Sequence, residues 1–290
     1  MRLPLLAALA LAVSTGALAQ PANLPPAVYT DPPADPAHPA RMAVLHIPSG
    51  DVQINGVAYL AAGPGPHPTV VICHGLPGNE KNLDLAQAVR RAGWNAITFN
   101  YRGSWGSPGQ YRFAQNPQDA KAVLAYLRDP QNAAKLAVDT KHIALIGHSM
   151  GGWVSALVGG QDDGLVGVGL ISAANMGLPR GQNRDQAVAF MADNMEALAG
   201  VTAASMADEI SANLEAFNFL HQAKGLASKP VLILTSNDGL APQAEALAKA
   251  ITEAGGTKVV THHEPTDHGW SDHRIAMEAA VIAWLQTLAP

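Results

Sequence analysis

The sequence predicts an α/β protein: a mostly parallel sheet with helices on both faces. Two observations carry this. Short, nearly unbroken Val/Ile/Leu runs of strand length recur along the chain, as in strands covered on both sides. Longer stretches with helical spacing separate them, and strand–helix alternation forces a parallel sheet. At 290 residues, 48% hydrophobic and only 14% charged, the chain is apolar enough to bury a sizeable core and too apolar to be disordered.

The strand-length runs are Met42–Ile47, Val52–Leu60, Thr69–Cys73, Asn95–Asn100, His142–Ile146, Leu165–Ser172, Pro230–Thr235 and Lys258–His262. Eight strands are therefore expected. The first two flank Pro48-Ser49-Gly50, a turn signal suited to an antiparallel pair. Helical stripes follow at Leu85, Ala86, Val89 and Ala92, with Gly93 placed to end that helix. Further stripes are Ala244, Leu247, Ala248 and Ile251, then Met277, Val281, Trp284, Leu285 and Leu288. Residues 173–229 contain no strand signal. Val188, Met191, Met195 and Leu198 predict one helix there, and Met206, Ile210, Leu214 and Phe217 a second. This inserted pair would lie as a lid over one end of the sheet, its methionines either forming a pliable pocket wall or only packing the insert down.

The chain begins with Met1-Arg2, an apolar run Leu3–Val13 and the small-residue triplet Ala17-Leu18-Ala19. The run is too short to span a membrane, and residues 1–19 read as a cleavable export signal, so no stable membrane span is expected. Residues 20–41 carry prolines at 21, 25, 26, 32, 33, 36 and 39, predicting a stiff, helix-free tether. The remaining 42–290 form one domain. Eighteen Lys+Arg against 23 Asp+Glu, a formal charge of −5 without a basic run, argue against nucleic-acid binding. The single cysteine, Cys73, excludes an internal disulfide framework and a multi-cysteine metal site. It lies within a strand run and reads as inert core.

The strand His142–Ile146 runs into Gly147-His148-Ser149-Met150-Gly151, a G-x-S-x-G pentapeptide, followed by an apolar segment from Trp153 to Val158. A strand-to-helix turn with glycines two residues either side lifts the serine hydroxyl clear of the backbone. The helix N-terminus beyond it aims free N–H groups at developing negative charge. Such a serine needs a base and a group to orient that base. Asp238 follows the run Pro230–Thr235, and His268 follows the run Lys258–His262. Ser149, Asp238 and His268 thus occur in order at or just beyond the carboxyl ends of successive strands, where sites form in open parallel sheets. Asp267 neighbours His268 and rivals Asp238, but adjacent side chains in an extended segment diverge. Asp162 and Asp163 are weaker candidates.

On these residues the chain resembles the α/β-hydrolase family of serine hydrolases over residues 42–290. The resemblance implies a three-layer α/β-hydrolase fold with an eight-stranded sheet. Cys73-His74-Gly75-Leu76-Pro77-Gly78 matches the H-G-x-x-G loop of relatives, which implies that the Leu76 N–H is one oxyanion donor and the Met150 N–H the other. Asn100-Tyr101-Arg102-Gly103-Ser104-Trp105-Gly106-Ser107 resembles the N-Y-R-G form of prolyl-oligopeptidase-like and dienelactone-hydrolase-like branches. Asn100, in place of Asp, and Trp105 depart from the commoner D-x-R-G-x-G-x-S pattern, and Arg102 reads as a structural tie between loops.

His262, His263, His268 and His273, with Asp267 and Asp272, offer a competing metal reading. They straddle a strand end, a loop and a helix start, without paired histidines on one helical face, so no metal and no cofactor is expected. His262 and His263 should point to opposite faces of their strand. The expected function is a serine esterase acting on a small-molecule acyl substrate, exported from the cell. The alternatives are an exopeptidase or amidase using the same residues, and a non-catalytic binding protein on the same scaffold.

Overall fold

The computed structural model describes residues 24–290 apart from Arg180 and Gln182. The export signal expected at 1–19 lies outside the described residues. Eight strands form one sheet: β1 (Arg41–Ser49), β2 (Val52–Leu60), β3 (His67–Cys73), β4 (Asn95–Phe99), β5 (Val138–His148), β6 (Leu165–Ile171), β7 (Val231–Ser236) and β8 (Val259–Glu264). Their order is β1-β2-β4-β3-β5-β6-β7-β8. β1 and β2 pair antiparallel, as do β2 and β4, and every other pairing is parallel. All eight apolar runs of the sequence are strands, with ends moved by at most four residues.

The period of two along each strand splits the core into two halves. Val71, Ile143, Leu145, Val231 and Ile233 face one side of the sheet. Their neighbours Val70, Ile72, Ala144, Ile146, Leu232 and Leu234 face the other. The first side is covered by α2 (Asn116–Arg128), α3 (Pro130–Leu136), α4 (Met150–Gly159) and α9 (Ala241–Glu253). The second is covered by α1 (Leu83–Arg91) and α10 (Arg274–Gln286). Burial on both faces is why these strands lack polar alternation.

Between β6 and β7 lie α5 (Arg184–Ala192), α6 (Ala203–Ala212), and the single turns α7 (Leu214–Phe217) and α8 (Ala223–Leu226). The stripe predicted through Met195 and Leu198 stops early. Asp193 caps α5, Ala197 adopts a left-handed φ of 58°, and Leu198 forms an isolated antiparallel bridge with Ser104. Met191 and Met206 are fully buried and pack the segment onto the body.

The proline-rich lead-in departs from a helix-free tether. Pro26–Val28 makes one 3₁₀ turn, Val28 is buried, and the Arg91 guanidinium donates to the carbonyls of Ala27 (2.6 Å) and Val28 (3.3 Å). Prolines forbid an extended helix, yet Pro26 suits the first position of a short turn.

Candidate active site

β5 ends at His148, and Ser149 turns directly into α4 with φ 58° and ψ −122°, a sparsely populated conformation for a residue with a side chain. The turn is held by Ser149 N–H donating to the Ile171 carbonyl (2.9 Å), while its own carbonyl accepts from Gly152 (3.0 Å) and Ala174 (3.1 Å). The flanking glycines are required by close approach. A Cβ on Gly147 would lie 1.9 Å from the Gly151 carbonyl oxygen, and one on Gly151 would lie 2.1 Å from that of Cys73.

Asp238 follows β7, and His268 lies in the loop between β8 and α10. His268 Nδ1 and Asp238 Oδ2 are 2.7 Å apart, with the Asp238 side chain 3% and the His268 side chain 42% exposed. Burial pushes the Asp238 carboxyl up, but the hydrogen bonds from His268 and from the Leu240 N–H (2.8 Å) outweigh it and hold it below the usual carboxylate range. With Nδ1 engaged, Nε2 is the free nitrogen of the His268 ring. His148 supports that loop from below. Its Nε2–H donates to the His268 carbonyl (2.8 Å), and the two rings lie 4.7 Å apart between centroids. Burial, and then the neighbouring His268, push the His148 imidazole down to about 4, so it stays neutral.

Ser149, Asp238, His268, Leu76 and Met150 all line one cavity of about 310 Å³. Met150 is the first residue of α4, so its N–H has no acceptor inside the helix. The rest of the wall is Ala174, Met176, Leu240, Phe190 and Asn194. Phe190 and Asn194 were not legible as site residues. Phe190 sits off the apolar stripe of α5 and is 46% exposed, so its periodicity reads as surface. The methionines on the wall are Met150 and Met176, both outside the stripes of the insert.

The other candidates take other roles. Asp267 is exposed and accepts from the Ser271 N–H (2.9 Å). Asp162 pairs with both Arg128 terminal nitrogens (2.7 and 3.0 Å), and Asp163 lies 3.8 Å from Lys229 Nζ. Cys73 is buried, and burial pushes its thiol up to about 12. Arg102 is a tie: Nε donates to Asp119 Oδ1 (2.6 Å), its backbone N–H to Oδ2 (2.9 Å), and Nη2 to Gln118 (3.0 Å).

The histidines do not gather round His268. His262 meets Glu264 (2.7 Å), His263 meets Thr235 (2.9 Å) and Asn237 (3.1 Å), and His273 meets Asp272 (2.9 Å) and the other oxygen of Glu264 (3.5 Å). His262 and His263 thus face opposite sides of β8, as their adjacency requires. Among the described residues no group of three or more His, Cys, Asp or Glu side chains is arranged to hold a metal ion. Among them, too, no helix is long and apolar enough to cross a membrane.

Residues 59–170 match the model of the BD-FAE family, a stretch that runs from the end of β2 to β6 and includes both the His74–Gly78 loop and Ser149. An uncharacterized protein of Mycobacterium tuberculosis is 28% identical over 125 residues, 43% of each chain, so the chain matches less than half the length of that curated relative. Among solved structures, an acylaminoacyl peptidase of Pyrococcus horikoshii superposes with a TM-score of 0.66 at 16% identity. That match covers 86% of this chain but 42% of the peptidase. A thermostable carboxylesterase cloned from a metagenomic library superposes with a TM-score of 0.65 at 20% identity, covering 87% of this chain and 91% of the esterase. The chain has the α/β-hydrolase fold, and its neighbours in structure are esterases and peptidases of that fold.

Proposed function

We propose that the protein is a serine hydrolase that cleaves uncharged carboxylic esters. The observation that carries this is the shared cavity: Ser149, the His268–Asp238 pair, Leu76 and Met150 all line it. In this reading His268 Nε2 takes the proton of the Ser149 hydroxyl as Oγ bonds to the acyl carbon. The carbonyl electron pair moves onto oxygen, where the two N–H groups stabilise it; one such donor is typically worth about 3 kcal/mol of barrier. Collapse breaks the bond to the alcohol, which leaves with the proton held by His268. Water, deprotonated by the same imidazole, then releases the acid and restores Ser149. Asp238 accepts from Nδ1–H throughout, fixing the tautomer and stabilising the imidazolium.

The wall favours a neutral ester over a substrate with a free amino or carboxylate terminus. Apart from Asp238 and His268, none of the described residues lining the cavity is charged, and most are aliphatic or aromatic. A charged end group would be buried there without a partner. Amide cleavage by the same residues is the second reading, favoured by the N-Y-R-G loop and by the likeness to an acylaminoacyl peptidase. Fold alone does not separate the two.

A fluorophosphonate probe is expected to label the protein and to fail on Ser149→Ala; equal labelling of both removes the nucleophile assignment. A panel of short- and long-chain aryl esters beside aminoacyl and acylaminoacyl anilides then decides the bond. Turnover of the esters alone supports the first reading, anilide turnover the second, and neither, with no labelling, a binding protein. Export through residues 1–19 is part of the same proposal, resting on the Met1–Ala19 pattern, and is tested by the N-terminal sequence of the exported protein.

A further inference from the structure

The loop Gly75-Leu76-Pro77 is held by side chains on both sides of the residue proposed to donate to the oxyanion. The Gly75 carbonyl accepts from His74 Nδ1–H (2.8 Å), and the Pro77 carbonyl accepts from the Trp105 indole N–H (2.7 Å). The Gly75 carbonyl shares its rigid peptide plane with the Leu76 N–H, so its bond to His74 sets where that N–H points, while the Pro77 carbonyl, two peptide planes further on, is where Trp105 anchors the end of the loop. Trp105 is itself held from four directions. Its backbone N–H donates to the Ala197 carbonyl (3.0 Å), its own carbonyl accepts from Asn100 Nδ2 (3.1 Å), and Lys81 Nζ sits 4.3 Å over its ring. The fourth is the indole bond to Pro77. A left-handed φ of 49° at a tryptophan persists only where the surroundings impose it.

The contact at Ala197 gives this arrangement a second end. The segment after α5 runs alongside the Arg102–Tyr111 loop: the Ala199 N–H donates to the Gly103 carbonyl (2.7 Å), and the Tyr111 N–H donates to the Ala199 carbonyl (2.8 Å). One residue therefore joins the segment that brings Phe190 and Asn194 to the cavity and the loop that presents the Leu76 N–H.

We propose that Trp105 is a positioning residue that aims the Leu76 N–H at the substrate oxygen and couples that aim to the segment after α5. The proposal rests on the hydrolase reading of the site. Trp105→Phe keeps an aromatic face for Lys81 and removes the indole donor together with the five-membered ring that carries it.

The expected result is a fall of roughly tenfold in kcat on a short aryl ester with KM nearly unchanged, since misplacing a catalytic group costs rate more than binding. An alkyl boronic acid, whose serine adduct places an oxygen in the oxyanion position, should lose affinity by a similar factor. A residue that merely held the fold would lower the unfolding midpoint without moving that affinity. If kcat and boronate affinity both stay within about twofold of the parent, or if only KM changes, the proposal is overturned. Should Trp105→Phe fail to fold, Trp105→Tyr, which also lacks the indole N–H, is measured in the same way. Fluorophosphonate labelling of parent and Ser149→Ala runs alongside. Labelling that ignores Ser149 overturns the site reading itself, whereas normal labelling with an unaffected Trp105→Phe overturns only the role of Trp105.

Discussion

His268 Nδ1 lies 2.7 Å from Asp238 Oδ2, joining a half-exposed imidazole to a carboxylate whose side chain is almost wholly enclosed. The bond makes Nδ1 the protonated nitrogen and leaves Nε2 as the nitrogen that acts as base in the proposed mechanism. Asp238→Asn preserves the shape but offers the ring an amide donor or a weaker acceptor, which selects the wrong tautomer. We expect kcat to fall by about 10³- to 10⁴-fold, with an unchanged circular dichroism spectrum. Retention of most activity would mean that another group orients His268.

The Arg102–Asp119 pair is expected to hold the loop under the site through stability alone. Asp119 is fully buried and accepts from the Arg102 side chain, the Arg102 backbone and the Ser49 hydroxyl (2.5 Å). Asp119→Ala strands a buried guanidinium, and breaking such a pair costs about 3 kcal/mol or more. Urea unfolding should register that loss, and a change below about 1 kcal/mol would show that Arg102 finds another partner or reaches water.

Phe190 is one of the residues that wall the cavity. It is carried by α5 rather than by the sheet, and it stands half exposed at the wall. Phe190→Ala should shift preference toward longer acyl chains, raising kcat/KM for a long-chain aryl ester about tenfold relative to a short one. An unchanged chain-length profile would place the acyl group elsewhere.

Glu278 gives stability a pH dependence of identifiable sign. It is 6% exposed on α10, and burial, then the nearby Asp84 carboxylate, push its carboxyl up to about 7. A carboxyl whose native value is raised binds its proton more tightly when folded. Its contribution is therefore present below the unfolded value of 4.5 and is lost as pH rises through about 7. Glu278→Gln mimics the protonated form, so denaturant melts should show it matching the parent at pH 5 but exceeding it at pH 8. The same difference at both pH values would contradict a raised Glu278.

What the residues foretold divides along a physical line. The inner strands were legible because burial on both faces makes each read as an apolar run, as in Val231–Ser236, whereas the edge strands β1 and β8 are largely exposed and read as strands from short apolar runs alone. The turn at Ser149 was legible because close packing there tolerates only glycine at 147 and 151. The pair α2 and α3 went unassigned, although Ala120, Val123, Leu124 and Leu127 follow helical spacing and are buried. Their mixed composition gives a weak signal beside the strands. The end of α5 was misplaced because Met195 and Leu198 continue a helical spacing that the left-handed Ala197 interrupts. Phe190, Asn194 and the Trp105–Pro77 bond depend on segments far apart in sequence meeting at one rim, which no local pattern records.

The stretch between β6 and β7 departs from the sheet and returns to it at neighbouring strands, while Ser149, Asp238 and His268 are all seated outside it. On the proposed function, chemistry and selectivity are thereby written on separate parts of the chain. Drift in α5 can retailor which molecules enter without disturbing the bond-breaking residues, whereas a change near Ala197 would be felt at the Leu76 amide. A library randomised around Phe190 and Asn194, with 197–199 left intact, is therefore the economical route to altered substrate choice in this scaffold.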